Sequence, residues 1–365
     1  MFVLDFHFLC WKDFLMKYIK LIGINLLVLC GLLFFVAIFL YYKEAKRINT
    51  FFSFTTDFQA QYYIPDSTAM FIHKPNIHIY DNWGTPEQKI STERRTNNLG
   101  FRDDDDIIDK KSNELRVLVT GDSHTDGVLK HNTESFINVW EERLNTADST
   151  TYYNCINGGV GYYSFRNYHG FLKKYAYLQP DVYLINVFTG NDFREAGMYE
   201  DNRINMGNMY RNTWMHFRRK FQSAAEQKFP YIQGIEQMLY FQSFPDQKEK
   251  AINTSKKYLL QIIEICKQKN IRLIVTFLPS KTEVNPEFQE QIKTLFDLND
   301  ETLAINTDLT QTLAAFLQEQ QVEYYDLLPP LYNPTEKLYW DEDLHINPKG
   351  HEIIGHFLFD EVDLK

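Results

Sequence analysis

Cysteine is scarce and scattered in this sequence. Its four thiols, Cys10, Cys30, Cys155 and Cys266, show neither metal-ligand nor redox spacing. Cys10 and Cys30 lie in or before a hydrophobic segment. At most Cys155 with Cys266 is left to pair in the soluble part, and buried free thiols are the expectation. Positive charge is also short: 38 Lys and Arg against 48 Asp and Glu leave a formal net charge of −10. A general nucleic-acid binder would show a basic surface, so no nucleic-acid partner is expected. The histidines show no ligand spacing, so neither a metal nor another cofactor is expected. No internal repeat is visible.

What is present is ample core material, 44% hydrophobic and 16% aromatic residues in a chain of 365. That length accommodates a membrane segment plus one large domain or two small ones. Residues 21–42 are almost wholly apolar, interrupted only by Asn25 and the small Gly23 and Gly31. A run of ~20 such residues is long enough to span a bilayer as a helix. Tyr41 and Tyr42 sit at its end, as interfacial aromatics do. No small-x-small site follows the run, which favours an uncleaved anchor over a cleavable signal peptide. Lys17 and Lys20 precede it, whereas Lys43, Lys46 and Arg47 follow, so flanking charge sets no clean orientation. Met16 reads as a more natural start for such an anchor than Met1. The expected organisation is a cytoplasmic segment at 1–20, the anchor at 21–42, a lead-in at 43–114 and a main domain at 115–365.

The lead-in is polar and lacks a long periodic pattern. Residues 69–73 suit an edge strand, the Asn-Asn and Gly of residues 96–102 suit turns, and the acidic run 103–106 suits a solvated loop. From Leu115 strand-like and helix-like segments alternate. Strands are expected at 152–156, 182–188, 272–278 and 322–327, and helices at 133–144, 165–178, 250–269 and 307–319. A last helix, capped by Asn347 with Pro348 at its first position, runs to about Asp360. Such alternation predicts a parallel sheet covered on both faces. Residues 194–249 break the rhythm and read as an insertion over the crevice. Its aromatics Tyr199, Tyr210, Trp214 and Phe217 suit sugar stacking or a lid core equally well.

Residues 117–127 read Val-Leu-Val-Thr-Gly-Asp-Ser-His-Thr-Asp-Gly. A β-branched run ends there in a turn that exposes Ser123 at a strand's carboxyl edge, where open α/β sheets place their chemistry. Three further stretches fall at such edges: Asn-Gly-Gly-Val-Gly-Tyr at 157–162, Gly-Asn-Asp at 190–192, and Asp-Glu-Asp-Leu-His at 341–345. Each alone is an ordinary turn or cap. Their joint order is what carries weight.

With these four blocks the sequence resembles the SGNH (GDSL-like) hydrolase superfamily over residues 96 to 360. The lead-in Thr-Asn-Asn-Leu-Gly-Phe-Arg also looks like one found in membrane-anchored or secreted bacterial members. The resemblance implies a three-layer α/β/α, flavodoxin-like domain behind one transmembrane helix. It also implies a serine esterase, with Ser123 as nucleophile and His345 as general base. Asp343 is the favoured carboxylate partner, because Asp-x-His also occurs in relatives that act on polysaccharide acetyl groups. Glu342 is the alternative. Ser123 N–H, a backbone N–H at Gly161 or Tyr162, and the Asn191 amide are the implied oxyanion donors. Tyr162 stands where the family usually has glycine, which is expected to crowd the pocket. Asp122, Gly190 and Asp192 are supporting residues, Asp192 orienting the loop that carries Asn191. His351 and His356, on the final helix, are expected to be surface or packing residues.

The expected substrate is an ester-bearing carbohydrate or lipid, most simply an acetyl ester. The alternatives are an O-acyltransferase acting through the same serine, or a carbohydrate-binding relative without turnover. The main domain is expected outside the cytoplasm.

Overall fold

In the computed structural model, residues 2–53, 61–81, 92–128, 130–200, 211, 214–215 and 233–364 are described, with side chains from residue 16 and a gap at 44–53. Of the aromatics expected over the crevice, Tyr210, Phe217 and the Tyr199 side chain lie outside the described residues. Trp214 is exposed.

A single helix spans Phe2–Ser53. Within it Met16–Lys43 has a mean hydropathy of 2.8 over its most apolar stretch, none of which is buried in the chain. It is long and apolar enough to cross a membrane. Two antiparallel hairpins follow, β1 (Tyr63–Asp66) with β2 (Met70–His73), and β3 (His78–Asp81) with β4 (Thr92–Arg95).

The central sheet is built from β5 (Glu114–Gly121), β6 (Tyr152–Asn157), β7 (Val182–Phe188), β8 (Arg272–Leu278) and β9 (Glu323–Asp326). All its pairings are parallel, in the order β6-β5-β7-β8-β9. Within the sheet this is the flavodoxin-like order 2-1-3-4-5, with the topological switch point beside its first strand, β5.

Side chains alternate across each strand, and both faces are buried. Leu118, Tyr183, Ile185, Val275 and Phe277 enter one core, and Val117, Val119, Leu184 and Ile274 enter the other. A strand covered on both faces reads as a nearly continuous apolar run. That is why residues 182–188 and 272–278 could be bounded from sequence. On the first face lie helices Phe165–Tyr175, Pro245–Lys269 and Ile305–Glu319. On the second lie Phe136–Ala147 and Pro348–Glu361. Trp140, Ile354 and Leu358 fill the space beneath the latter pair. Asn347 caps the last helix by accepting a bond from Gly350 N–H at 3.0 Å.

The structure corrects the stretch read as an irregular insertion from 194 to 249. Helices Asp192–Glu200 and Ile235–Ser243, and the first turn of Pro245–Lys269, occupy its two ends. Ile235, Gln237, Met238, Leu239, Tyr240 and Phe241 are all buried. A helix buried all round has no polar face to mark its period.

The hairpins belong to the same hydrophobic body: Tyr63, Phe71 and Ile72 join the first-face core, and Ile79 of β3 packs against it. Their sequence shows little period because each strand has only four residues. In the acidic run, Asp104, Asp105 and Asp106 are exposed while Asp103 is half-buried. Burial pushes the Asp103 carboxyl up to about 6. Cys155 and Cys266 are both buried free thiols.

Candidate active site

The β5 strand delivers its last residue, Gly121, into a tight turn. A Cβ on Gly121 would fall 2.0 Å from Thr125 Oγ1, so only glycine lets the turn fold back this closely. Asp122 then caps the one-turn helix Ser123–Asp126, its carboxylate accepting from His124 N–H at 2.9 Å. Capping of this kind satisfies an otherwise orphaned N–H. It also fixes Ser123 as the first helical residue, at the carboxyl edge of the sheet. Burial pushes Asp122 up to about 7.

The last block reaches this turn from 222 residues away. His345 Nε2 lies 2.8 Å from Ser123 Oγ. Its other ring nitrogen, Nδ1, pairs with Asp343 Oδ1. Asp343 is fully buried and also accepts from His345 N–H at 3.2 Å. A buried carboxylate against Nδ1 makes Nδ1 the protonated ring nitrogen and leaves Nε2 as the acceptor facing the serine. Asp343, rather than Glu342, occupies this position. Leu344 between them takes φ of +64°, and this bend lets the chain return Asp343 to the ring two residues on.

The second block packs against the serine turn through its glycines. A Cβ on Gly159 would lie 2.3 Å from Asp126 N, and one on Gly161 would lie 3.9 Å from Ser123 Cβ and 2.8 Å from Tyr63 Oη. Gly161 is therefore the residue whose backbone closes on Ser123. Tyr162 adopts φ of +67°, a left-handed conformation that glycine takes without strain. Tyr162 is 39% exposed.

In the third block Asp192 is buried, and Oδ2 accepts from Phe188 N–H at 2.9 Å and Tyr168 O–H at 2.6 Å. These bonds tie the loop carrying Asn191 to β7 and to the Phe165–Tyr175 helix. Burial holds the Asp192 carboxyl well above the usual range, and the neighbouring Asp122 adds to it. Gly190 packs against Phe188 and Gly234. Asn191 Nδ2 points toward Glu195 Oε1 at 3.4 Å. Burial lifts the Glu195 carboxyl to about 8, with Arg194 pulling the other way.

Several contributors carried no signal that marked them in the sequence. His124, inside the serine turn, is buried, stacks on Phe188 with ring centroids 3.9 Å apart, and lies 4.7 Å from the His345 ring. Burial, and then His345, hold it well below the ordinary histidine range, so it is neutral. Gln233 joins the two histidines: Oε1 lies 2.9 Å from His124 Nε2, and Nε2 lies 3.0 Å from His345 Nε2. Asp126, three residues after Ser123, is gripped by His73, Arg94 and Arg102 at 3.0–3.1 Å. Burial alone would raise the Asp126 carboxyl, but Arg94, His73 and Arg102 outweigh it and hold it far below the usual range. His351 packs in the core, where Nδ1 accepts from Phe136 N–H at 3.0 Å. Among the described residues no cluster of His, Cys, Asp and Glu is arranged to hold a metal ion.

No family model matches the chain, and no curated protein matches it. Solved structures do. A member of the lipolytic protein G-D-S-L family from Veillonella parvula is similar at 12% identity and a TM-score of 0.38, covering 68% of this chain and 97% of its own. An acetyl xylan esterase is similar at 13% identity and a TM-score of 0.42, covering 68% of this chain and 100% of its own. A carbohydrate acetylesterase from Sinorhizobium meliloti is similar at 13% identity and 0.39, covering 68% and 97%. In its strand order, with helices packed on both faces of the sheet, the chain has a three-layer α/β/α, flavodoxin-like fold.

Proposed function

We propose that the protein is a serine esterase acting through Ser123, His345 and Asp343. The observation that carries this reading is the contact of 2.8 Å between Ser123 Oγ and His345 Nε2, on a ring whose Nδ1 is held by a buried carboxylate. Ser123 Oγ attacks an ester carbonyl carbon while its proton passes to Nε2. The tetrahedral intermediate collapses, the ester C–O bond breaks, and the leaving alkoxide takes the proton from Nε2. A water or an acceptor hydroxyl then attacks the acyl-serine and gives its proton to Nε2. The acyl–Oγ bond breaks and Oγ recovers the proton. Ser123 N–H, the backbone at Gly161 or Tyr162 and the Asn191 amide are the proposed oxyanion donors. Asp122 and Asp192 support the turns that present them.

The test is the full chain in detergent, given p-nitrophenyl acetate and a serine-reactive phosphonate. Turnover and labelling are expected in wild type and lost in Ser123→Ala. Labelling that persists in Ser123→Ala refutes the reading.

Gln233 Nε2 sits 3.0 Å from His345 Nε2, in space that the attacking oxygen of the second half-reaction, from water or from an acceptor hydroxyl, must enter. The Met16–Lys43 helix supports a single-pass anchor, and the proposed topology has the main domain outside the cytoplasm and the amino terminus inside. Protease digestion of the main domain in intact spheroplasts is the expected result, and its protection counts against this topology.

A further inference from the structure

Gln233 is half-buried, and the residues that follow it are anchored. The next residue, Gly234, takes φ of +80° and packs against Ser280, and its carbonyl accepts from Asn306 Nδ2 at 3.1 Å. One helical turn on, Gln237 Nε2 donates to Thr189 O at 2.7 Å. The carboxamide of Gln233 is thus presented to the histidines by an anchored turn.

Hydrogen-bond chemistry fixes which way that carboxamide faces. Ile346 N–H donates to His124 Nδ1 at 3.3 Å, so a neutral His124 carries its proton on Nε2. That N–H donates to Gln233 Oε1 at 2.9 Å. The amide nitrogen is consequently the end that meets His345. It lies 3.0 Å from Nε2 and 3.3 Å from Nδ1. Being almost equidistant from both ring nitrogens, it rests over the ring face and leaves the Nε2 lone pair to Ser123. Two consequences follow from this position. The positive end of the amide dipole faces a ring that must become cationic when it takes the serine's proton, which opposes that step. The amide also fills the space beside Nε2 that the attacking hydroxyl of the second step must enter.

We infer that the seat now filled by the Gln233 carboxamide, between His124 Nε2–H and His345 Nε2, is a subsite for a pair of vicinal hydroxyls on the acceptor. The inference rests on the esterase reading and names its acceptor class. Like the carboxamide, whose oxygen and nitrogen share one carbon, a 1,2-diol with its oxygens on adjacent carbons offers an acceptor and a donor close together. One oxygen accepts from His124 Nε2–H. The other, once acylation has removed the Ser123 proton from the Nε2 lone pair, turns its O–H from the ring face onto Nε2, gives up that proton as it bonds to the acyl carbon, and displaces Ser123 Oγ, which recovers the proton from Nε2. A simple alcohol or water satisfies only one of the two anchors. His124 is here a binding residue, and Gln233 a resting occupant that a diol displaces.

The experiment uses the full chain in detergent, with cis-1,2-cyclohexanediol and cyclohexanol as probes. In a Ser123→Ala background, NMR titration is expected to show that Gln233→Ala tightens diol binding about fivefold, roughly the worth of one net hydrogen bond. Cyclohexanol should show no such gain. With Ser123 intact, Gln233→Ala is expected to raise the phosphonate labelling rate severalfold. Equal gains for diol and cyclohexanol, or no gain for either, overturn the subsite. Unchanged or slower labelling in Gln233→Ala overturns the restraint on His345. Absent labelling in every variant alongside a diol-specific gain would refute the esterase reading while leaving the seat in place.

Discussion

Arg102 Nη1 lies 3.1 Å from Asp126 Oδ1, so a residue ahead of the first sheet strand grips the turn three residues beyond Ser123. Arg94 and His73 reach the same carboxylate from β4 and β2. All four side chains are buried. The two hairpins therefore bear directly on the placement of the serine, through a carboxylate with several charged hydrogen bonds.

Neutralising that carboxylate removes the counter-charge shared by two buried guanidinium groups. Asp126→Asn is expected to cost about 3 kcal/mol or more at pH 7, the scale of breaking a buried pair, measured by urea unfolding. The folded-state pKa of Asp126 lies below its unfolded value of about 3.9. Its contribution is thus full above that pH and lost as pH falls below it. Wild type should lose stability through this acid window, and Asp126→Asn should lose less there. An identical acid limb in both proteins counts against the assignment.

The carboxylate at Nδ1 of His345 is Asp343. Asp343→Asn is expected to lower kcat by about 10⁴-fold, as loss of tautomer control does in a serine triad. Glu342→Gln should leave kcat within a few-fold of wild type. Steady-state kinetics on p-nitrophenyl acetate separate the two, and a larger effect of Glu342→Gln reverses the assignment.

Asn191 is proposed to donate to an oxyanion. Asn191→Ala should lower kcat by about 10²–10³-fold, the usual effect of removing one such donor. KM should change little, because the donor acts chiefly on the transition state. A change confined to KM would place Asn191 in ground-state binding instead.

Tyr162 holds a left-handed conformation that costs a residue with a Cβ roughly 1–2 kcal/mol. Glycine avoids that strain but gives back some of the gain through the entropy of its unfolded state. Tyr162→Gly is expected to stabilise the fold by about 0.5–1 kcal/mol in thermal or urea unfolding. Destabilisation would mean that the exposed ring contributes more than the backbone strain removes.

The strand succession and the turns at its edge were legible because their signals are local. Residues 182–188 are apolar but for Asn186, and 272–278 but for Arg272 and Thr276, while Gly121, Asp122 and Ser123 are the small, capping residues that a strand-to-helix turn demands. Asn347 and Pro348 marked the last helix for the same reason. Helix Ile235–Ser243 was hidden because burial on every side erased its period. Sequence spacing left both Asp343 and Glu342 within reach of His345. The choice was made by the bend at Leu344 and by the burial of one carboxylate alone. Gln233 and His124 are ordinary residues in sequence. Only the packing that stacks His124 on Phe188 and anchors Gly234 brings them to His345. Local chemistry thus determined which elements form and where they turn. Long-range burial decided which side chains meet, because the free energy of those contacts comes from water excluded by distant parts of the chain.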